Sequence, residues 1–372
     1  MNPMMAQYSD SLVRVLGHSL WQATVVCAVT WLVLRLLPAR RSNWRYGIAV
    51  TGLATVVVLT FPTWSWLQLD ASEVAAPTGS DSPMAFDQSH GQDSIVAASI
   101  PVEQSIEHRS VSISTHAKLR HPLVIWLAGI WLAGAMAMLV RGLVGQLTVQ
   151  AWVRQPAIRL NVTPLELLIA ELRRALGLRR HVRVMVSPRV SVPAIAGILC
   201  PVLLVPPAML TGIPLQQWQI VIAHELAHVV RWDAIVNLAQ TVIESLLFFN
   251  PAVWWLSRQI RIEREACCDA LAAHVCGQPI LVARALVDVA ATVVKESSPQ
   301  PTGISPTMLA FADPAEGGEL SDRVRRLVDP DKTPRVRVSW AGVGAVLIAI
   351  ILVAIALQRG TDLAVRAAAN WM

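Results

Sequence analysis

Four windows of about 20 residues, each nearly free of charge, constrain this chain more than any other feature: Leu16 to Leu37, Tyr46 to Leu69, Pro122 to Val140 and Val338 to Leu357. A helix needs about 20 apolar residues to cross the hydrocarbon core of a bilayer, and it satisfies its own backbone there. Four membrane crossings are therefore expected, which excludes a single soluble domain, a disordered chain and a collagen-like repeat. The composition agrees, at 54% apolar and 15% charged against about 45 to 50% and about 25% for soluble domains. The first window is longer than a signal-peptide core, has no basic stretch before it, and is followed by Arg40, Arg41 and Arg45 instead of a small-residue cleavage site. It is expected to remain as an anchor.

Basic residues are retained on the cytoplasmic flank of a crossing. Arg35, Arg40, Arg41 and Arg45 follow the first window, whereas the segment before it has only Arg14, so the amino terminus is expected outside. Residues 70–121 hold seven acidic and three basic groups among many Ser, Pro and Gln, the composition of a flexible exported loop. Residues 145–337 hold 20 basic and 16 acidic groups and are expected in the cytoplasm. The expected order is two crossings within 1–69, an external loop over 70–121, a third helix over 122–144, a cytoplasmic domain over 145–337, a fourth helix over 338–357 and a short external tail over 358–372. The net charge of +6 is read as topology, with membrane lipid as its partner and no direct nucleic-acid binding. Five cysteines without a CxxC pair exclude a disulfide scaffold and a thiolate zinc site.

The chemistry is concentrated in the cytoplasmic block. In VIAHELAHVVRWD, His224 and His228 are four residues apart, hence about 40° apart on a helix and on one face. Neutral imidazoles suit Zn2+, and Glu225 beside the first of them is placed to act as general base toward a water the metal has acidified. A catalytic zinc needs a third protein ligand and one open position. The metzincin extension fails, because Arg231 and Ala234 stand where Gly and His would be required, and Asp233 is one residue out of the aspartate variant's register. Downstream, RIEREACCDALAAHV places Glu265 and Asp269 four apart on a second helix. Glu265 is the preferred third ligand, and Asp269 is read as the acceptor of the spare N–H of a zinc histidine, fixing its tautomer. Glu263, Glu244 and His274 are rivals; Glu263 points about 160° away from Glu265, and a solvated charged face is the plain reading of Glu263 and Glu244.

The stretch Ala234 to Leu256 is apolar enough to cross, but doing so would put the histidines and Glu265 on opposite sides of the membrane. Its polar residues and the Asn250-Pro251 break fit a buried or membrane-grazing helical hairpin. Residues 182–187 and 198–206 read as short strands. No tyrosine lies in the block, which leaves His181, His274 or an arginine as oxyanion helper.

Taken together, HELAHVVRWD, FFNPAVWW and EREACCD, with SVPAIAGILCPVLLVP before them and LSDRVRRL after, resemble the BlaR/MecR-type membrane metallopeptidases that transduce beta-lactam signals. The resemblance runs from residue 1 to about 358. It implies a mostly α integral membrane protein of the bacterial inner (cytoplasmic) membrane, with four transmembrane helices and a cytoplasmic α+β zincin-like (gluzincin) domain between the third and fourth. It also implies zinc on His224, His228 and Glu265, catalysis by Glu225, and a cytoplasmic protein substrate such as a winged-helix repressor. About 15 residues follow the last helix, where antibiotic-sensing members carry a penicillin-binding domain, and no SxxK, SDN or KTG set occurs. Similar transducers are thought to cut themselves, which marks Arg325-Arg326 as an expected cleavage region. An HtpX-like quality-control protease and a non-catalytic zinc-containing receptor are the alternatives; the intact Glu225 disfavours the receptor, since a structural zinc has no need of a base.

Overall fold

The structure is a computed structural model of the chain that describes residues 3–74, 111–154, 163–190, 192–207, 210, 214–296 and 316–329. The fourth apolar window, the tail after it and most of the 70–121 loop lie outside the described residues. Two compact units are present, one of residues 1–18 and 60–132 and the other of residues 19–59 and 133–372.

Three long helices open the chain: α1 (Pro3–Leu36), α2 (Ser42–Val74) and α3 (Val111–Arg154). Among the described residues, Tyr8–Leu36 and Pro122–Ala151 are long and apolar enough to cross a membrane. The second apolar window of the sequence is helical within α2. A helix leaves its last four carbonyls unpaired. At the end of α1, the Arg45 guanidinium donates to the carbonyls of Leu34 and Leu37 and closes that end.

Beyond α3, helix α4 (Thr163–Ala175) precedes three short strands, β1 (Arg183–Val186), β2 (Ala194–Ala196) and β3 (Val202–Val205). The two strand readings of the sequence fall on β1 and β3. The central strand β3 pairs parallel with β1, Arg183 opposite Val202, and antiparallel with β2, Ala194 opposite Leu204. A strand covered on both faces is continuously apolar, and VLLV in β3 is buried at every position. The β2–β3 turn requires glycine at Gly197, which has φ 91°; a Cβ there would approach the Cys200 carbonyl oxygen to 2.6 Å.

Helices α5 (Leu215–Val230), α6 (Asp233–Leu246), α7 (Pro251–Cys276), α8 (Pro279–Glu296) and α9 (Glu316–Val328) follow among the described residues. Leu203 and Val205 of β3, Trp218, Ile222 and Leu226 of α5 and Ala272 of α7 share one core with α4. Ile220 of α5, Ala273 of α7, Val282 and Ala285 of α8 and Leu327 of α9 form a second. A third joins the first half of α7, at Val253, Leu256 and Ile260, to Ala23 and Val26 of α1 and Leu53 and Val56 of α2. The described residues thus form a mostly helical membrane protein with one small sheet. Helix α7 packs at one end against the membrane helices and at the other against α5.

Candidate metal centre

Helix α5 buries Ile222, Ala223, Leu226 and Ala227, which leaves His224, Glu225 and His228 on the adjacent half-buried positions. Its end is sharp. Trp232 is the one described non-glycine residue with positive φ, at 59°, a conformation that side chains other than Gly and Asn adopt at a cost. The Arg180 guanidinium lies 4.2 Å from the Trp232 ring centroid, within cation–π range. This reversal turns Asp233, the first residue of α6, back toward α5, and its Oδ2 lies 2.8 Å from His228 Nδ1. The sequence reading weighed Asp233 only as a third ligand and set it aside, without giving it the role of partner to His228. The only local signal for it was an aspartate directly after the end of the histidine helix.

Both imidazoles are oriented alike. His224 Nε2 lies 3.4 Å from Glu265 Oε2, and His228 Nε2 lies 3.9 Å from Glu265 Oε1. Their Nδ1 atoms face carboxylates instead, Asp269 Oδ1 at 3.0 Å for His224 and Asp233 for His228. The rings meet edge to face with centroids 5.0 Å apart. One ligating atom from each of His224, His228 and Glu265 falls within 4.8 Å of the others. Donors bonded to a tetrahedral zinc at about 2.0 to 2.1 Å stand roughly 3.4 Å from each other, so this donor set fits a zinc-sized ion. Carboxylates behind each Nδ1 are the outer partners such histidines need.

Arg323 of α9 completes the surroundings. Its Nε and one terminal nitrogen each donate to an Asp269 oxygen at 2.8 Å, and its other terminal nitrogen is 3.5 Å from Glu265 Oε2. Arg264 approaches Glu265 Oε1 at 3.7 Å. Burial penalises the His224 imidazolium, yet the Asp269 and Glu265 carboxylates beside it outweigh that and raise the pKa to about 10. Burial also pushes Glu265 up, but His224, His228 and Arg323 hold it well below the usual carboxylate range. Asp269 is likewise lowered by Arg323 against the pull of burial. Glu225 is raised, chiefly by burial, which moves it toward the range of a general base.

The rivals for the third ligand lie elsewhere. Glu263 is fully buried between Arg45 Nε at 2.8 Å and Arg326 at 3.0 Å, with Gln259 donating at 3.1 Å. The expectation of a solvated face is corrected here: the opposite side of α7 is covered by α2 and α9, and a carboxylate in such a place requires cationic partners. Glu244 pairs with Arg261 at 2.9 Å, and His274 is exposed on the last turn of α7. The Arg325-Arg326 peptide bond lies within α9, so a cut there requires that helix to open. Sequence reasoning missed Arg323, which it counted only among the basic groups of residues 145–337, next to the expected cleavage region at Arg325-Arg326. A second group of ligand-type atoms, from His228, Asp233 and Cys268, shares His228 with the first. Cys268 Sγ is 3.3 Å from His228 Nδ1, and burial pushes its thiol well above the ordinary cysteine range.

The family described as BlaR1 peptidase M56 matches residues 13–291, about three-quarters of the chain and inclusive of every residue from His224 to Asp269. The regulatory protein BlaR1 of Bacillus licheniformis is 30% identical over 94 residues, which cover 25% of this chain and 16% of that protein. The aligned part is thus a small share of that relative's length.

Proposed function

The chain belongs to the BlaR1 peptidase M56 family, a membrane metallopeptidase of the signal-transducing kind, and from that premise we propose a zinc-dependent endopeptidase that cleaves a cytoplasmic protein. Its substrate is a transcriptional repressor of the winged-helix type. The enzyme crosses the bacterial inner membrane four times, with the peptidase domain between the third and fourth crossings on the cytoplasmic side. His224, His228 and Glu265 hold the zinc, Asp269 and Asp233 orient the two imidazoles, and Glu225 is the general base. The observation that carries this reading is the inward convergence of two Nε2 atoms and the Glu265 carboxylate, each Nδ1 being turned outward onto an acid.

When bound, zinc supplies a Lewis acid that polarises the scissile carbonyl and acidifies the attacking water. The residues of the chain do the rest. Glu225, half-buried beside His224 with its pKa raised by burial, takes the proton of the nucleophilic water on a carboxylate oxygen and passes it to the leaving amine. Asp269 keeps the His224 ring in its tautomer with Nε2 directed inward, and Arg323 keeps Asp269 ionised and fixed. Replacing Glu225 by Gln removes the base alone. Cleavage of a repressor substrate should fall by about 10² to 10⁴-fold while zinc content stays at one per chain. Full signalling by Glu225→Gln would favour a receptor in which the metal is only structural.

A further inference from the structure

Helix α6 is built inside out for a water-facing helix. Its exposed positions are Ala234, Ile235, Leu238, Ala239, Val242 and Leu246, all of them apolar. Its polar residues face inward instead: Asp233, Gln240 and Ser245 are buried, while Asn237, Thr241 and Glu244 are half-buried. A helix against water shows the reverse pattern. We propose that α6 and the first half of α7 form a re-entrant hairpin in the bilayer, with the outer face of α6 lying against lipid acyl chains.

Two membrane helices contact the hairpin within their apolar stretches. At its turn, Asn250 Nδ2 donates to the Ser19 carbonyl of α1 at 3.1 Å. Ser19 precedes Leu36, the end of that span, by 17 positions, about 26 Å at about 1.5 Å per residue. Along α3, a Cβ on Gly142 would come within 2.8 Å of Thr241 Cγ2, and a Cβ on Gly134 within 2.5 Å of Phe248 Cζ. Gly134 lies inside the third apolar window, six residues or about 9 Å before its end at Val140, and Gly142 follows Arg141 at that end. The turn thus sits about 26 Å from the end of the α1 span and beside a residue inside the third apolar window, within the roughly 30 Å of a hydrocarbon core. Glycines that admit a neighbouring side chain against the backbone are the usual means of close helix packing in membranes.

Several polar groups of the hairpin are satisfied from within, as a bilayer demands, while Gln240 Oε1 is buried without a hydrogen-bond partner. Asn250 Oδ1 accepts from the Ala252 amide at 3.0 Å, and the Phe248 carbonyl accepts from Trp254 Nε1 at 2.8 Å. Gln240 Nε2 donates to the Ser257 carbonyl and hydroxyl at 3.1 and 3.2 Å. Of the charges, Glu244 pairs with Arg261, and Arg258, an exposed position eight residues past the turn, has a partner as well and a side chain long enough to reach toward the membrane surface. Glu263, about 20 Å along α7 from Asn250, meets Arg45 at the cytoplasmic end of α1 and α2, where the hairpin leaves the membrane. Trp232, 45% exposed at the entry to α6, has the interfacial position such rings favour. The proposed zinc ligand His228 then lies one turn from the bilayer surface, and the cytoplasmic block is interrupted over roughly residues 233–260.

A photoreactive diazirine side chain placed at Leu238, Val242 or Leu246 of the full chain, in phospholipid vesicles, tests this. Acyl-chain adducts are expected at all three positions and not at Leu167 or Leu215, which are exposed leucines of α4 and α5. In a second arm, Val242→Cys should react with a water-soluble maleimide roughly ten-fold or more slowly than Leu215→Cys, because a thiolate does not form in hydrocarbon. Adducts to a second copy of the chain or to another protein in place of lipid, or equal maleimide rates, would overturn the proposal.

Discussion

Glu263 and Glu265 are two residues apart on α7 and live in opposite surroundings. Two residues turn a helix by about 200°, so the side chains leave on opposite faces. Glu263 is fully buried and saturated by Arg45, Arg326 and Gln259. Glu265 is 27% exposed, faces two imidazoles, and has Arg323 and Arg264 at 3.5 and 3.7 Å as its arginine neighbours. Both arginines that matter on α9 stand on one face, Arg323 toward the metal centre and Arg326 toward Glu263. The difference separates a carboxylate that holds the fold from one left with capacity for an added cation. Residue type and helical position alone do not make that distinction; what packs on each face does.

The largest expected effect tests the structural member of the pair. Glu263→Ala leaves Arg45 and Arg326 with their shared counter-charge gone, and breaking a buried ion pair from one side costs about 3 to 5 kcal/mol. Denaturant or thermal melting of the metal-free protein should show that loss. Glu265→Ala should cost less than Glu263→Ala under the same conditions, since it removes a partly exposed group whose loss is confined to its contact with His224 and the more distant arginines. If the two variants melt alike, the division of roles between them is wrong.

Metal binding should show the reverse order. Losing one of three protein ligands should weaken zinc binding by more than about 100-fold in Glu265→Ala, measured by competition with a chelator. The outer carboxylates come next, with Asp269→Asn and Asp233→Asn each expected to cost about 10 to 100-fold. Wild-type affinity in Asp233→Asn would mean that its contact with His228 is incidental. Arg323→Gln should weaken binding in the same direction as Asp269→Asn and add little to it, because the arginine acts through that carboxylate.

The contrast between these groups also shows what a sequence can encode. The four-residue spacing in HELAH and in EREACCD is local, and helical geometry alone is enough to put His224 with His228 and Glu265 with Asp269 on common faces. The strands at 183–186 and 202–205 were legible for the same reason, as short apolar runs between turns. Asp233 was not legible because its approach depends on the left-handed Trp232. Arg323 comes from 54 residues beyond Asp269, so no periodicity ties them. The polarity of α6 was seen only as a stretch that could be buried or membrane-grazing, since the identity of the solvent on its outer face depends on helices that are far away in sequence.

The smallest expected effect is a proton count that distinguishes the filled from the empty centre. A zinc ligand must be a neutral imidazole, but Asp269 and Glu265 raise His224 to about 10 in the metal-free protein, against about 6.5 for an ordinary histidine. The sign follows directly. Metal-free protein retains that proton at pH 8, so zinc binding there should release about one proton from His224, and apparent affinity should rise about ten-fold per pH unit until pH approaches 10. The same shift stabilises the metal-free fold fully below about pH 6.5 and is lost as pH rises through about 10. Asp269→Asn removes one of the two groups that raise the pKa and should move the affinity plateau to lower pH. Titration calorimetry of zinc binding at pH 8, in buffers of different protonation enthalpy, reads the number of protons released. A count no larger than the bound water alone supplies, at most about one with its pKa near 7, would show that His224 is already neutral without metal, and that its carboxylate neighbours orient the ring without holding it charged.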